Sequence, residues 1–479
     1  MSPEEQKRAE DKSKKQSYAG AFKAWWDADY SVDGLKTKKV PSLAGGAVSL
    51  YEYWFDTNPP RLVEFAGRQW TEFHLPTHDL QGNKSRKASW AVNKVSAFYD
   101  EIYRRESEGV ARYNAGSGAT EAARPRAFFD GVVFPRWNTV HSSPYVVPSY
   151  RDAIFEGPVS FTGGAPGSAC NFSGAIFRED ANFSDRAFQV RSDFSEAVFV
   201  GRAIFERSTF NGPVSLRGAT VHGAAFDNAK FSSLLDLSEV DIFGAAEFRG
   251  GQCAEVQISH AHFRGPVDFG RREFQGRLFT SSMRALFDNR VSMRDCHFGD
   301  VVSLSARFEG PVDISSATGG VFRSVVELTS CDFASDVDFS GREFRRLAKF
   351  VDCTFMGAPI FSGADLHHSA MFSNCRFLAK AGMINPQRFA SSWEYLVFRW
   401  VPFAEWLPQF SDARVSRNAS AQTIEGSYAR FDTFWITMGS KQQTSMPSKW
   451  THAGSGRMFP SSSGGPCFSS GCRAAMADL

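Results

Sequence analysis

Residues 172–210 read FSGAIFREDANFSDRAFQVRSDFSEAVFVGRAIFERSTF. Phe returns at 172, 177, 183, 188, 194, 199, 205 and 210, in steps that alternate between five and six residues. Leu216, Val221, Phe226 and Phe231 carry the ladder on. The alternation returns at Leu328, Phe333, Phe339, Phe344, Phe350, Phe355, Phe361, Leu366, Phe372 and Phe377. An α-helix needs apolar residues at a period near 3.6, which these steps do not supply. The residue two before each rung is usually small, as at Ala175, Ala181, Ser192, Ala197, Ala203, Ser208, Ala348, Ala364 and Ala370. Positions two apart in an extended chain point to the same side. Rung and small residue therefore face inward together, and the residues between them face outward. A unit of two steps is too short to fold alone, so neighbouring copies must stack.

The words Ala181-Asn182-Phe183-Ser184, Ser192-Asp193-Phe194-Ser195 and Val337-Asp338-Phe339-Ser340 resemble the pentapeptide repeat family. That family's motif is a small residue, Asp or Asn, Leu or Phe, and two polar residues. The resemblance covers roughly 155–377 and implies an all-β solenoid, a right-handed quadrilateral β-helix with four short faces per coil. The six-residue steps lengthen the coil to about 22 residues. The extra residue often falls in a Gly-Pro-Val word, at Gly157-Pro158-Val159, Gly212-Pro213-Val214, Gly265-Pro266-Val267 and Gly310-Pro311-Val312. These read as wider corners, where Gly permits unusual dihedrals and Pro needs no N–H partner. About ten coils fit between Phe155 and Phe377, a rod roughly 50 Å long at the inter-strand spacing.

Composition agrees with a single slot filled many times, since the chain holds 46 Phe against 40 Gly in 479 residues. A net charge of +2 gives no case for direct nucleic-acid binding. Eight Cys without CxxC pairs do not make a disulfide scaffold, and the charged N-terminus does not read as a secretory signal. No apolar run is long enough to span a bilayer. The expectation is a cytoplasmic protein.

The flanks lack the ladder. Residues 1–127 read as an α-rich region of unknown fold. Tyr18, Phe22, Trp25 and Trp26 lie at helical spacing, Trp90–Arg112 reads as a helix, and 114–126 as a linker. The ladder itself occupies 128–380, with Phe129 and Phe134 as early rungs. Residues 381–440 read as a C-terminal cap or helical segment, with a helix over 413–438. Their aromatic stretch 393–410 either covers the open end of the last coil or makes peripheral contact with a membrane. The Ser/Gly-rich tail, 441–479, reads as disordered, or as the product of a shifted reading frame.

A search for chemistry yields no catalytic, cofactor-binding or metal-ligating residues and no cofactor. Cys331, Cys353 and Cys375 recur at the coil length, each two before a rung, and read as small inward residues stacked on one face. His260 and His262 flank an inward Ala, and His367 and His368 follow a rung, so all four read as outward. The position before the rung holds Asp193, Asp236, Glu247, Asp268, Asp313, Glu327 and Asp338, a possible acidic stripe. Arg271, Arg272, Arg342, Arg345 and Arg346 read as outward clusters. The expected function is a non-enzymatic scaffold presenting a rigid surface to an unknown protein partner. The resemblance implies one alternative, a DNA mimic that binds a type II topoisomerase. A second places a sensor or enzyme in residues 1–127.

Overall fold

The computed structural model describes residues 3–41, 46–55, 60–115, 127–136, 141–142, 148–162, 170–281, 283–357, 359–361, 364–366 and 370–377, and five short strands beyond them. The Gly/Ser/Ala-rich interruption of the ladder at 162–170 lies mostly outside the described residues. So do His367, His368 and most of 378–479.

The ladder is a parallel β-solenoid. Each coil carries up to four short strands, and strands one coil apart pair in register. On the first face Cys170 lies beside Ser192, and Ser192 beside Val214. On the second Phe177 lies beside Phe199, on the third Ala181 beside Ala203, and on the fourth Phe188 beside Phe210. The second face is a sheet of 12 strands, running from Val133–Phe134 to Arg376–Phe377. The rung residues point inward and stack as columns. Phe155 and Phe177 lie 4.9 Å apart and nearly parallel, and Phe177 and Phe199 lie 4.6 Å apart. This is the inter-strand spacing expressed in side chains, so the register that closes the backbone hydrogen bonds also sets aromatic stacking.

The alternating steps have a local cause. Each regular five-residue step turns through a left-handed residue two after the rung, as at Asp185, Glu196, Arg207, Asn228 and Arg271. The Asp or Asn before the rung holds that corner by accepting the N–H two residues on. Asn182 accepts from Ser184 at 2.9 Å, Asp193 from Ser195 at 3.0 Å and Asp338 from Ser340 at 2.8 Å. These are Asx turns. The Gly-Pro words do sit at six-residue corners, but dihedral freedom is not the reason for Gly212, Gly265 and Gly310, which are not left-handed. A Cβ on Gly265 would lie 2.1 Å from the Gly244 carbonyl oxygen, and one on Gly212 2.4 Å from the Val190 carbonyl carbon. The coils approach too closely there for any side chain.

The rung spacing slips at 280–291 and 306–321, yet the strands there stay in register: Ala285–Phe287 pairs with Ala306–Phe308, and Phe298 with Phe322.

The N-terminal region contains α1 (Pro3–Asp27), α2 (Val32–Thr37), α3 (Leu50–Phe55) and α4 (Val92–Ala115), with a hairpin at Leu62–Phe65 and Arg68–Thr71. Its aromatics form core. Trp25, Trp54 and Trp70 are buried in one cluster that runs on into Phe129, Phe134 and Tyr150 of the first coils. Trp54 meets Phe129 at 5.8 Å, and Phe98 meets Phe134 at 5.9 Å. Helix α1 lies along the second face, where outward Ile154, Ile176 and Val198 are buried beneath the N-terminal region. His222 Nε2 lies 3.1 Å from Ser17 Oγ, and Arg178 sits 4.5 Å over the Tyr18 ring.

Beyond the ladder, strand Tyr395–Arg399 extends the first face and pairs antiparallel with Phe434–Thr437. The described part of the stretch expected as a helix is therefore a strand. In the tail expected to be disordered, Trp450–Ala453 pairs with Arg457–Pro460.

Candidate interaction surface

The outward rows of the first and third faces carry all seven of the predicted acidic positions, but they do not form one stripe. Asp193, Asp236 and Glu327 belong to the first face, and Glu247, Asp268, Asp313 and Asp338 to the third. Each row is broken by neutral or basic residues, such as Ser215 and Lys349 on the first and Ser292 on the third. Three of the four third-face carboxylates are also paired. Arg202 meets Glu247 at 2.8 Å, Arg249 meets Asp268 at 2.9 Å, and Arg294 meets Asp313 at 2.9 Å.

The arginines divide in a way the outward reading missed. Arg272 and Arg342 are fully buried inside the solenoid, and Arg186 nearly so. All three occupy the small-residue slot two before a rung, which the ladder itself assigns to the interior. Arg272 donates to the carbonyls of Phe248 (2.5 Å), Phe226 (2.9 Å) and Ala229 (3.2 Å), and to Cys253 Sγ (3.0 Å). Cys253 stands where the fourth-face column otherwise places Phe231 and Phe274, which leaves room for the guanidinium. Arg342 donates to the carbonyls of Ile314, Cys296 and Met293. Burial draws Arg186 and Arg342 down to about 10, so both remain cationic at neutral pH. Arg271, next to Arg272, is exposed, as are Arg345 and Arg346.

The cysteine column lies as the coil length predicts. Cys331, Cys353 and Cys375 are buried at equivalent positions in successive coils. Their thiols donate to the carbonyls of Leu304 (3.4 Å), Leu328 (3.2 Å) and Phe350 (3.2 Å). Hydrogen bonding to Cys353 and burial push Cys331 and Cys375 up. Among the described residues no group of His, Cys, Asp and Glu is arranged to hold a metal ion. His262 is an outward residue bonded to Asp288 at 2.8 Å, and His260 is an exposed left-handed corner residue. In the N-terminal region, His74 is lowered to about 3 by burial and bonds Thr71 at 2.9 Å. The buried Lys87 donates to the carbonyls of Glu72 (2.8 Å) and Phe73 (3.0 Å).

A concavity lies on the outward surface. A groove of about 520 Å³ crosses the third face and its following corner, lined by Arg249, Arg271, Arg290 and Arg294 with Asp227, Asp268 and Asp295. Arg249 and Arg294 each follow a rung, two coils apart, and the residue at that position between them is Gly270. The sequence signal was present in the coil spacing. It needed the coil's corners to be assigned before it could be read.

Among the described residues no helix is long and apolar enough to cross a membrane. A family model described as pentapeptide repeats (nine copies) matches residues 172–220 and 205–252. No curated protein and no solved structure matches the chain.

Proposed function

We propose, from the premise that this chain carries a pentapeptide-repeat solenoid, that it is a non-enzymatic scaffold presenting a rigid surface to a protein partner. The carrying observation is the third face. Eleven parallel strands hold a row of outward side chains whose positions are set by a core that uses none of them. Such a row can change its chemistry without disturbing the fold, and it offers a binding partner little conformational entropy to lose on ordering. Helix α1 packs on the second face of the early coils, which supports a different face, the third, as the display side. The carboxylates are divided between two faces and balanced by arginines, so they do not reproduce the continuous negative field of a DNA mimic.

The test is cross-linking of partners retained by the full chain, followed by mapping of the linked residues. Links concentrated on outward residues of one solenoid face are expected. Retained partners linked only to residues 1–115 would overturn the reading.

A further inference from the structure

The small inward slot of the second face changes character along the rod. It holds Ala175, Ala197, Ala219, Ala261, Ala285 and Ala306 in earlier coils, and then Cys331, Cys353 and Cys375 in three successive ones, all buried. The strands that follow these cysteines, Asp332–Phe333, Thr354–Phe355 and Arg376–Phe377, pair in register. Neighbouring cysteine Cα atoms are therefore one strand spacing apart, ~4.8 Å, within the roughly 4.4–6.8 Å that a disulfide spans. The thiols also meet, since Cys353 shares hydrogen bonds with Cys331 on one side and Cys375 on the other. Among the described residues, Arg376–Phe377 is the last strand of the second-face sheet, so it has a neighbour in that sheet on one side only. End units of a solenoid open locally at lower cost than interior ones. Two other buried cysteines lack such neighbours: Cys170 lies beside Ser192, and Cys253 beside Phe231 and Phe274.

We infer that Cys353 and Cys375 form an oxidation site, at which hydrogen peroxide converts the pair to a disulfide that staples the last two strands of the second face. Hydrogen bonds from both neighbours favour the thiolate of Cys353 over those of Cys331 and Cys375. Cys353 is therefore the nucleophile. Its sulfur attacks one peroxide oxygen, the O–O bond breaks, and a sulfenic acid and one water form. The Cys375 sulfur then attacks the Cys353 sulfur. The S–O bond breaks, and the Cys375 proton leaves with the hydroxide as a second water. Two thiols have lost two hydrogens and two electrons, and the peroxide has taken up both. Hydrogen peroxide is little larger than water and enters when the end strand opens. Cys375 is the resolving partner because its strand is the one that opens, whereas Cys331 lies deeper in the rod. The bond replaces the S–H contacts to the Leu328 and Phe350 carbonyls and closes a loop that the unfolded chain must then carry. The site lies away from the third face, and its test is independent of the scaffold reading.

The experiment treats the full reduced chain with millimolar hydrogen peroxide, alkylates the remaining thiols after unfolding, and maps tryptic peptides by mass. Trypsin cuts after Lys349 and Arg376 and at no residue between them. A Cys353–Cys375 bond therefore leaves peptide 350–376 unalkylated, lighter than its reduced form by two hydrogens and restored by dithiothreitol. That product is expected, with Cys170 and Cys253 still alkylated. The amide of Arg376 donates to the Cys353 carbonyl at 2.8 Å. Its protection from hydrogen exchange should rise at least about tenfold on oxidation. Cys375→Ala places in the slot the residue that earlier coils use, so the coil is kept. This variant should lose the bond and the gain in protection, and should accumulate a Cys353 sulfenic acid that dimedone traps. Peptide 324–342 linked to 350–376 would show Cys331 as the partner and overturn the pair. Full alkylation of Cys353 and Cys375 after treatment would overturn the site. So would equal oxidation of Cys170 and Cys253, which would report general unfolding.

Discussion

At the scale of single residues, neighbours in sequence can have opposite roles. Arg272 is buried with its guanidinium shared among backbone carbonyls of earlier coils, while Arg271 is exposed. Removing Arg272 takes the guanidinium from the carbonyls of Phe248, Ala229 and Phe226, of which Phe226 still accepts the N–H of Ala229; each carbonyl left unsatisfied costs about 1–3 kcal/mol. Arg272→Ala is therefore expected to destabilise the chain by about 3–5 kcal/mol, and Arg271→Asn by less than about 0.5 kcal/mol, in urea unfolding. Similar values for the two would contradict the placement. Asp130 gives a pH-dependent counterpart. It is buried between Ser149 Oγ at 2.5 Å and Arg151 at 3.4 Å, with Asp152 close by. Burial, with a smaller push from Asp152, raises it to about 6 against the opposing pull of Arg151 and Ser149. A carboxyl raised in the folded state contributes stability that is fully present below its unfolded value, about 4, and is lost as pH rises through about 6. The stability of Asp130→Asn relative to the wild type should thus move in the variant's favour, by on the order of 2–3 kcal/mol, between about pH 4 and pH 7. A difference that does not change with pH would rule this out.

At the scale of the element, the unit is the corner. Five-residue corners turn through a left-handed residue held by an Asx turn, and six-residue corners bring glycine backbone against the coil below. The step pattern showed both corner types in sequence, and the Gly-Pro-Val words marked the wider one. What sequence could not supply was the reason for glycine, because the obstructing atom, the Gly244 carbonyl oxygen, is a coil away. Gly265→Ala is expected to lower stability by more than about 2 kcal/mol, since backbone must shift to admit the methyl group. Denaturant midpoints would show it, and an unchanged midpoint would return the explanation to dihedral preference. The acidic residues were misleading for a related reason. A motif Asp that accepts the N–H two residues on reads in sequence like a recognition residue, and its corner role becomes visible only with the turn.

At the scale of the whole molecule, the N-terminal region and the solenoid share one core. The outward second-face residues Ile154, Ile176 and Val198 are apolar where the repeat tolerates polar residues, and α1 with its neighbours covers them. Further along the same face the outward residues are Thr220, Asp241 and His262, beyond the apolar patch. This switch was legible in the ladder, but its partner was not, because nothing in the repeat says which distant segment will cover it. Ile176→Asp places an unpaired carboxylate in that contact. Hydrogen exchange should then show loss of protection across α1 while the coil amides keep theirs. Unchanged protection of α1 would mean the helix is held by other contacts.

The sequence by itself determined the solenoid, its coil length, the inward columns and the corner positions. These follow from periodicity, which is local and repeated many times. Tertiary structure alone decided which arginines are interior, which face the N-terminal region covers, and how the carboxylates divide between faces. Those outcomes depend on atoms one or two coils apart or on segments more than a hundred residues away, and a short-range period carries no record of them.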